Sequence, residues 1–178
     1  RGAAWITLWE ELLEGRVPTS KFIGLALRAL PREQTEQNVQ LILEYLNVAF
    51  WKFLSDEGRQ NVAATLEKVL SQGFYDSDSP SMKSTYFISF RSVVTTNEGL
   101  AFLEGLWRGD EEIAGLTLAE NDEAAIALDL AVRSVPDAGR IVALQLARFK
   151  NLDNRSRFEF VMPAVSGNQD TRDSFFES

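Results

Sequence analysis

The chain has no histidine and no cysteine. That double absence removes the usual zinc sites, the thiolate nucleophile and the Ser-His-Asp triad. It also removes the usual proton carrier near neutral pH. With no cysteine, disulfide use says nothing of the redox compartment, and the location of the protein stays open. No apolar run approaches the roughly 20 residues that span a bilayer, so no membrane span is expected. Positive charge is also scarce: 18 Lys and Arg stand against 26 Asp and Glu, a net charge of −8. That balance disfavours non-specific binding to nucleic acid.

What is present is an ordinary globular composition, 45% hydrophobic over 178 residues. A chain of this length buries roughly 70% of its unfolded surface and needs no metal or disulfide staple. The opening Arg1-Gly2-Ala3-Ala4-Trp5 has neither Met nor a signal-peptide pattern. The closing Ser174-Phe175-Phe176-Glu177-Ser178 reads as cut inside an amphipathic helix. The expectation is a single helical domain over 1–178, excised from a larger protein.

The apolar spacing is helical throughout. Val39, Ile42, Leu43, Leu46, Phe50, Phe53 and Leu54 recur at three- and four-residue steps over residues 35–54. Ser55 suits an N-cap, and Val62, Leu66, Val69 and Leu70 carry the next helix to a stop at Gly73. Ser79-Pro80 opens another, striped by Met82, Tyr86, Phe90, Val93 and Val94. Thr95 or Thr96 caps a helix through Leu100, Leu103, Leu106 and Trp107 that ends at Gly109. Residues 120–134 are apolar almost all round, the pattern of a helix with neighbours on several sides. Pro136-Asp137 begins a helix striped by Ile141, Leu144 and Ala147; Asp153 and Ser166 are the expected caps of the last two. The sum is an all-α fold of about ten short antiparallel helices. Helix pairs recur every 35 to 45 residues or so, the period of HEAT and armadillo arrays, with an irregular bundle as the alternative.

The remaining chemistry belongs to carboxylates and arginines. Asp76-Ser77-Asp78 resembles the start of a calcium loop, but Ser81 stands where the loop needs Gly and Phe87 where it needs Glu. Asp110-Glu111-Glu112 reads as a solvated turn, and Glu10 with Glu14 as surface residues sharing a helix face. Phe50, Trp51 and Phe53 read as core. Charge is unevenly spread. Residues 97–138 hold ten acidic and two basic side chains; residues 139–157 hold five basic (Arg140, Arg148, Lys150, Arg155, Arg157) and one acidic. Such a patch can receive a carboxylate or phosphate, or it can neutralise helix C-terminal carbonyls and pair with the acidic helices before it. It is short and not interleaved with aromatics, so nucleic acid is not the expected partner.

Four runs carry a resemblance. Ala49-Phe50-Trp51-Lys52-Phe53-Leu54, Thr85-Tyr86-Phe87 with Phe90-Arg91-Ser92, Gln145 to Asn151, and Arg157-Phe158-Glu159-Phe160-Val161-Met162-Pro163-Ala164 look like the C-terminal helical region of the aminopeptidase N-type zinc metallopeptidases, the gluzincins. The resemblance extends over nearly the whole chain. It implies a non-catalytic HEAT-like superhelix that covers the catalytic cleft and shapes a peptide chamber. The family's zinc motif H-E-x-x-H and its catalytic Tyr would lie upstream; Tyr45, Tyr75 and Tyr86 do not match that Tyr. Within this chain the resemblance therefore implies no catalytic residue, no metal ligand and no cofactor, with zinc confined to the parent's catalytic domain. The partners implied are that domain and the peptide substrate. Arg148, Arg155 and Arg157 are the candidates to meet the peptide's C-terminal carboxylate. The rival expectation is a free-standing helical scaffold that binds a protein partner along a concave face.

Overall fold

In a computed structural model that describes residues 2–177, the fold is all-α. Ten α-helices occupy the described residues: α1 (Gly2–Leu13), α2 (Thr19–Ala29), α3 (Glu36–Val48), α4 (Asp56–Asp76), α5 (Pro80–Val93), α6 (Asn97–Arg108), α7 (Glu120–Val132), α8 (Ala138–Arg148), α9 (Leu152–Val161) and α10 (Gln169–Glu177). Among them no helix is long and apolar enough to cross a membrane. The chain gathers into two compact units. One runs to Thr96 and includes Ile113–Leu116; the other holds Asn97–Glu112 and the chain from Thr117 on.

The first unit is built around α4 and α5. Phe74 of α4 meets Phe87 and Phe90 of α5 edge-on, and Lys83 Nζ donates to the Phe74 carbonyl at 3.0 Å. Toward the other end, Glu67 of α4 meets Thr95 and Thr96, just past α5. Contact positions fall along one helix as they rise along the other, so the pair is an antiparallel hairpin. Glu67 is only 5% exposed. Its Oε1 accepts the Thr95 N–H at 2.8 Å and the Thr96 N–H at 3.0 Å, and its Oε2 accepts the Thr96 hydroxyl. A buried carboxylate left unpaired would be costly, and these three donors satisfy it.

Several expected boundaries hold for the expected reasons. Ser55 Oγ accepts the Gly58 N–H at 3.1 Å, and Ser79 Oγ the Met82 N–H at 3.4 Å. Gly109 follows α6 with φ of +85°, the left-handed backbone that suits glycine at a helix end. Gly15, past the end of α1, has the same backbone at +73°. Others moved. Gly73 does not stop α4, which runs on to Asp76. The glycine is there for packing: a Cβ at 73 would run into the Tyr86 ring. Asn151, not Asp153, caps α9, accepting the N–H groups of Asp153 (2.9 Å) and Asn154 (3.1 Å). Asn168, not Ser166, caps α10 through the Thr171 N–H at 3.1 Å.

The stripe expected over 35–54 is buried from Val39 through Phe50 and then fails. α3 passes into a π turn over Ala49–Phe53, whose wider i→i+5 repeat rotates later side chains away from the stripe. Phe50 is fully buried, but Trp51 and Phe53 are 40% and 42% exposed, which corrects the expectation that all three are core. Trp51 is tied instead to α5: its Nε1 donates to the Ser92 carbonyl at 2.9 Å, and Asn47 Nδ2 donates to Ser92 Oγ at 2.5 Å. Glu14 also departs from expectation. It lies past the end of α1, and Arg16 pairs with both Glu11 and Glu14.

In the second unit α7 packs against both α6 and α8, as its nearly all-round apolar sequence requires. Ala124, Ile126, Ala127, Leu130 and Ala131 are buried, while Val132 is left exposed. Among the described residues no strand forms; the nearest feature is one isolated antiparallel bridge, Ile113 with Leu116.

Gly73→Ala is the sharp test of the α4–α5 hairpin. Helix propensity alone would make it stabilising by about 0.5–1 kcal/mol. The Tyr86 ring reverses the sign, and a loss of about 1–3 kcal/mol is expected from overpacking. Urea denaturation of the two proteins decides it; a stabilised variant would contradict the packing described.

Candidate functional site

The basic segment 139–157 is the site the sequence singles out, and it lies in the second unit. It spans α8, the turn after it and the first half of α9. The face of α8 that turns inward is not the expected one. Ile141, Val142 and Gln145 are buried, whereas Leu144 is 44% exposed and Ala147 is also exposed. Gln145 escaped notice because it is polar. Its spacing of three and four residues from Val142 and Ile141 was the available signal.

Gln145 is fully buried, and its Oε1 accepts from the Trp107 Nε1–H of α6 at 2.7 Å. Its Nε2 finds no acceptor among the described residues. Arg148, one turn further along α8, lies with its guanidinium 4.0 Å from the centre of the Trp107 ring. Its Nη1 donates to the Trp107 carbonyl at 2.8 Å. That carbonyl belongs to the last turn of α6, where a cation opposes the negative end of the helix dipole. Arg148 is thus doubly engaged with Trp107, through ring and carbonyl. This is the carbonyl-neutralising role foreseen for the segment.

Arg155 and Arg157 are exposed on α9, and neither forms an ion pair among the described residues. Two residues apart on a helix means side chains about 160° apart around the axis, so they cannot converge on one ligand group. Phe158, which follows Arg157, is buried against Phe149 with ring centroids 5.2 Å apart. Lys150 contributes its backbone more than its charge. Its N–H donates to Glu120 Oε2 at 3.0 Å, and Asn154 Nδ2 donates to Glu120 Oε1 at 3.3 Å. The Lys150 N–H holds the Glu120 carboxyl below the ordinary carboxylate range, aided by Asn154 and the Asn151 backbone and opposed by desolvation. Glu120 thereby fastens the α8–α9 turn to the start of α7.

The same unit has a shallow groove of about 570 Å³, bordered by Ala131, Val135, Gly139 and Val142 on one side and Met162, Pro163 and Thr171 on the other. Its lining is mostly of small side chains, apolar except for Ser134, Ser166 and Thr171, with no charged one. The segment thus presents one guanidinium held against Trp107 and two divergent exposed ones, and none of the three lines the groove. A guanidinium can donate two parallel hydrogen bonds to an anionic end group. Among the described residues no group of three or more carboxylates converges as a metal site, and no step through a metal is assigned to this chain.

Comparison with protein-family models, with curated proteins and with solved structures returns no match.

Two outcomes are expected. Gln145→Leu should destabilise the protein by about 1 kcal/mol, because it strands the Trp107 N–H. In the Trp107→Phe background the same change should stabilise, since it then removes a stranded amide; a double-mutant cycle read by thermal unfolding measures this. For Glu120 the folded carboxyl titrates below its unfolded value. Its stabilising effect is present above the unfolded pKa and is lost as pH falls through the folded one. Glu120→Gln should therefore flatten the decline in urea midpoint between about pH 5 and pH 3. Parallel curves for the two proteins would contradict the assignment.

Proposed function

We propose that this chain is a non-catalytic C-terminal helical domain of a zinc aminopeptidase of the aminopeptidase N type. In that reading its helices stack as a HEAT-like array, cover the catalytic cleft and shape the chamber that admits peptides. The parent enzyme removes N-terminal residues, with zinc and its ligands in the upstream catalytic domain. One observation carries the reading: the runs that bear the resemblance meet in pairs. Trp51 of the Ala49–Leu54 run is hydrogen-bonded to Ser92 of the Phe90–Ser92 run. Phe149 of the Gln145–Asn151 run packs on Phe158 of the Arg157–Ala164 run. The first contact ties the turn after α3 to α5 across 41 positions, and the second ties the end of α8 to α9. Packing of helices onto near neighbours in the chain suits such an array.

The arginines divide in this reading. Arg148, held over Trp107, is a fixed charge at the end of α6, while Arg155 and Arg157 reach solvent from two sides of α9. A peptide's terminal carboxylate would meet one of them at a time.

The test uses the intact parent enzyme. Replacing Arg148, Arg155 and Arg157 together by Ala should raise KM for peptides by about tenfold, the loss of one charge-assisted contact. Turnover of a small aminoacyl-anilide should stay unchanged. Unaltered peptide kinetics would end the substrate-facing role. The 178-residue chain alone should bind no stoichiometric zinc and cleave no aminoacyl-anilide, and either activity would overturn the domain assignment. A parent sequence without an H-E-x-x-H motif before Arg1 would turn the reading to a free-standing helical scaffold.

A further inference from the structure

The first unit carries only a small share of the protein's net negative charge. Up to Thr96 there are eleven acidic and ten basic residues; the excess of acid lies beyond it. On one face of this nearly neutral unit the basic residues are not spent on neighbours. Arg16 is paired with Glu11 and Glu14, but Lys21, Arg28 and Arg32 form no ion pair among the described residues. All three are exposed. Steps of seven and four residues place them within about 40° of one another around the axis of α2 and its continuing turn.

This cationic row borders a groove. Two adjoining hollows of about 630 and 480 Å³ lie along α1 and α2 and share Leu8, Leu25 and Arg28. Trp5, Leu8 and Leu25 supply an apolar floor, and Leu25 is 41% exposed. Gly24 leaves the wall low, and Arg28 lies back across it: a Cβ at 24 would stand 3.5 Å from Arg28 Nη1. The acid on this rim, Glu33, is occupied by the backbone, its Oε1 accepting the N–H groups of Gln34 (3.1 Å) and Thr35 (3.0 Å).

We propose that the α1–α2 groove is a docking site for an acidic amphipathic helix of a partner protein. Such a helix would lay its apolar face on Trp5, Leu8 and Leu25 and its carboxylates against Lys21, Arg28 and Arg32. Charge complementarity selects this occupant. Three cations are spread along about 16 Å of α2, three turns of a docked helix. A fatty acid presents one charged head and would leave two of them unanswered. A basic helix would be repelled. Each guanidinium can also take a carboxylate through two parallel hydrogen bonds. The inference stands on the first unit alone and does not depend on the aminopeptidase reading.

The experiment titrates the full chain by calorimetry with a capped peptide of about 14 residues, Leu on one face and Glu flanking it; a second peptide has Lys in place of every Glu. The Glu peptide should bind with a dissociation constant on the order of 10–100 µM at low salt, and less well in about 0.5 M salt. The R28E/R32E double variant should bind it at least about tenfold more weakly. Proton–nitrogen correlation spectra of the wild-type chain should shift the Trp5 indole and the Leu25 amide first, a readout that does not require the variant to fold. Equal binding of the Lys peptide, shifts confined to other helices, or undiminished binding by a folded double variant would overturn the proposal. So would binding of laurate at the same residues without binding of the Glu peptide, which would make the groove a lipid site.

Discussion

A carboxylate buried in the middle of α4 sets the geometry of the first unit. Glu67 cannot remain in an apolar interior without donors, and it finds them in the turn that follows α5. α5 must therefore return alongside α4 to bring Thr95 and Thr96 to that depth. Once the two helices run antiparallel, Gly73 comes opposite Tyr86 and Phe74 opposite Phe87 and Phe90. Phe22, Ile42, Leu46 and Phe50 are among the fully buried side chains of the rest of this unit's core. A polar interaction thus specifies an alignment that apolar contacts alone, being non-directional, would leave free to slide.

The second unit uses a similar device with weaker charges. Trp107 gives its N–H to Gln145, its carbonyl to Arg148 and its ring face to the same guanidinium. One side chain and its own backbone carbonyl thereby bind α6 to α8 at three points. The consequence for function is direct. An arginine that closes a helix end is oriented more tightly than one on a free surface, because its rotamers are already restricted. Arg148 offers a charge anchored at the end of α6, whereas Arg155 and Arg157 offer exposed ones on α9.

Much of the fold was legible in the sequence, and the failures have separate causes. Ser55 and Ser79 were readable as caps because the residue type, the position and the following helix all agree. Asn151 and Asn168 were missed because several capping residues stand close together there, and only the backbone path decides which one reaches the exposed N–H groups. Gly73 looked like a helix end because glycine at a helix end and glycine under an aromatic ring look alike in one dimension. Trp51 and Phe53 looked like core because an unbroken 3.6-residue period was assumed where a π turn intervenes. At the candidate site, the density of basic residues was visible, but Gln145 was not, because a buried glutamine is recognised by its partner and Trp107 lies 38 positions away.

Sequence by itself determined the all-α class, most helix boundaries, the uneven charge and the want of histidine and cysteine chemistry. These depend on residues three or four apart or on simple counts. Tertiary structure alone decided that Arg148 is held against Trp107 while Arg155 and Arg157 form no ion pair among the described residues. It alone decided that Glu67 has donors, and that Lys21, Arg28 and Arg32 border a groove whose carboxylate, Glu33, is turned to the backbone. The reason is range. A helix stripe is encoded within one turn, whereas the satisfaction of a polar group depends on whatever the folded chain brings within 3 Å of it.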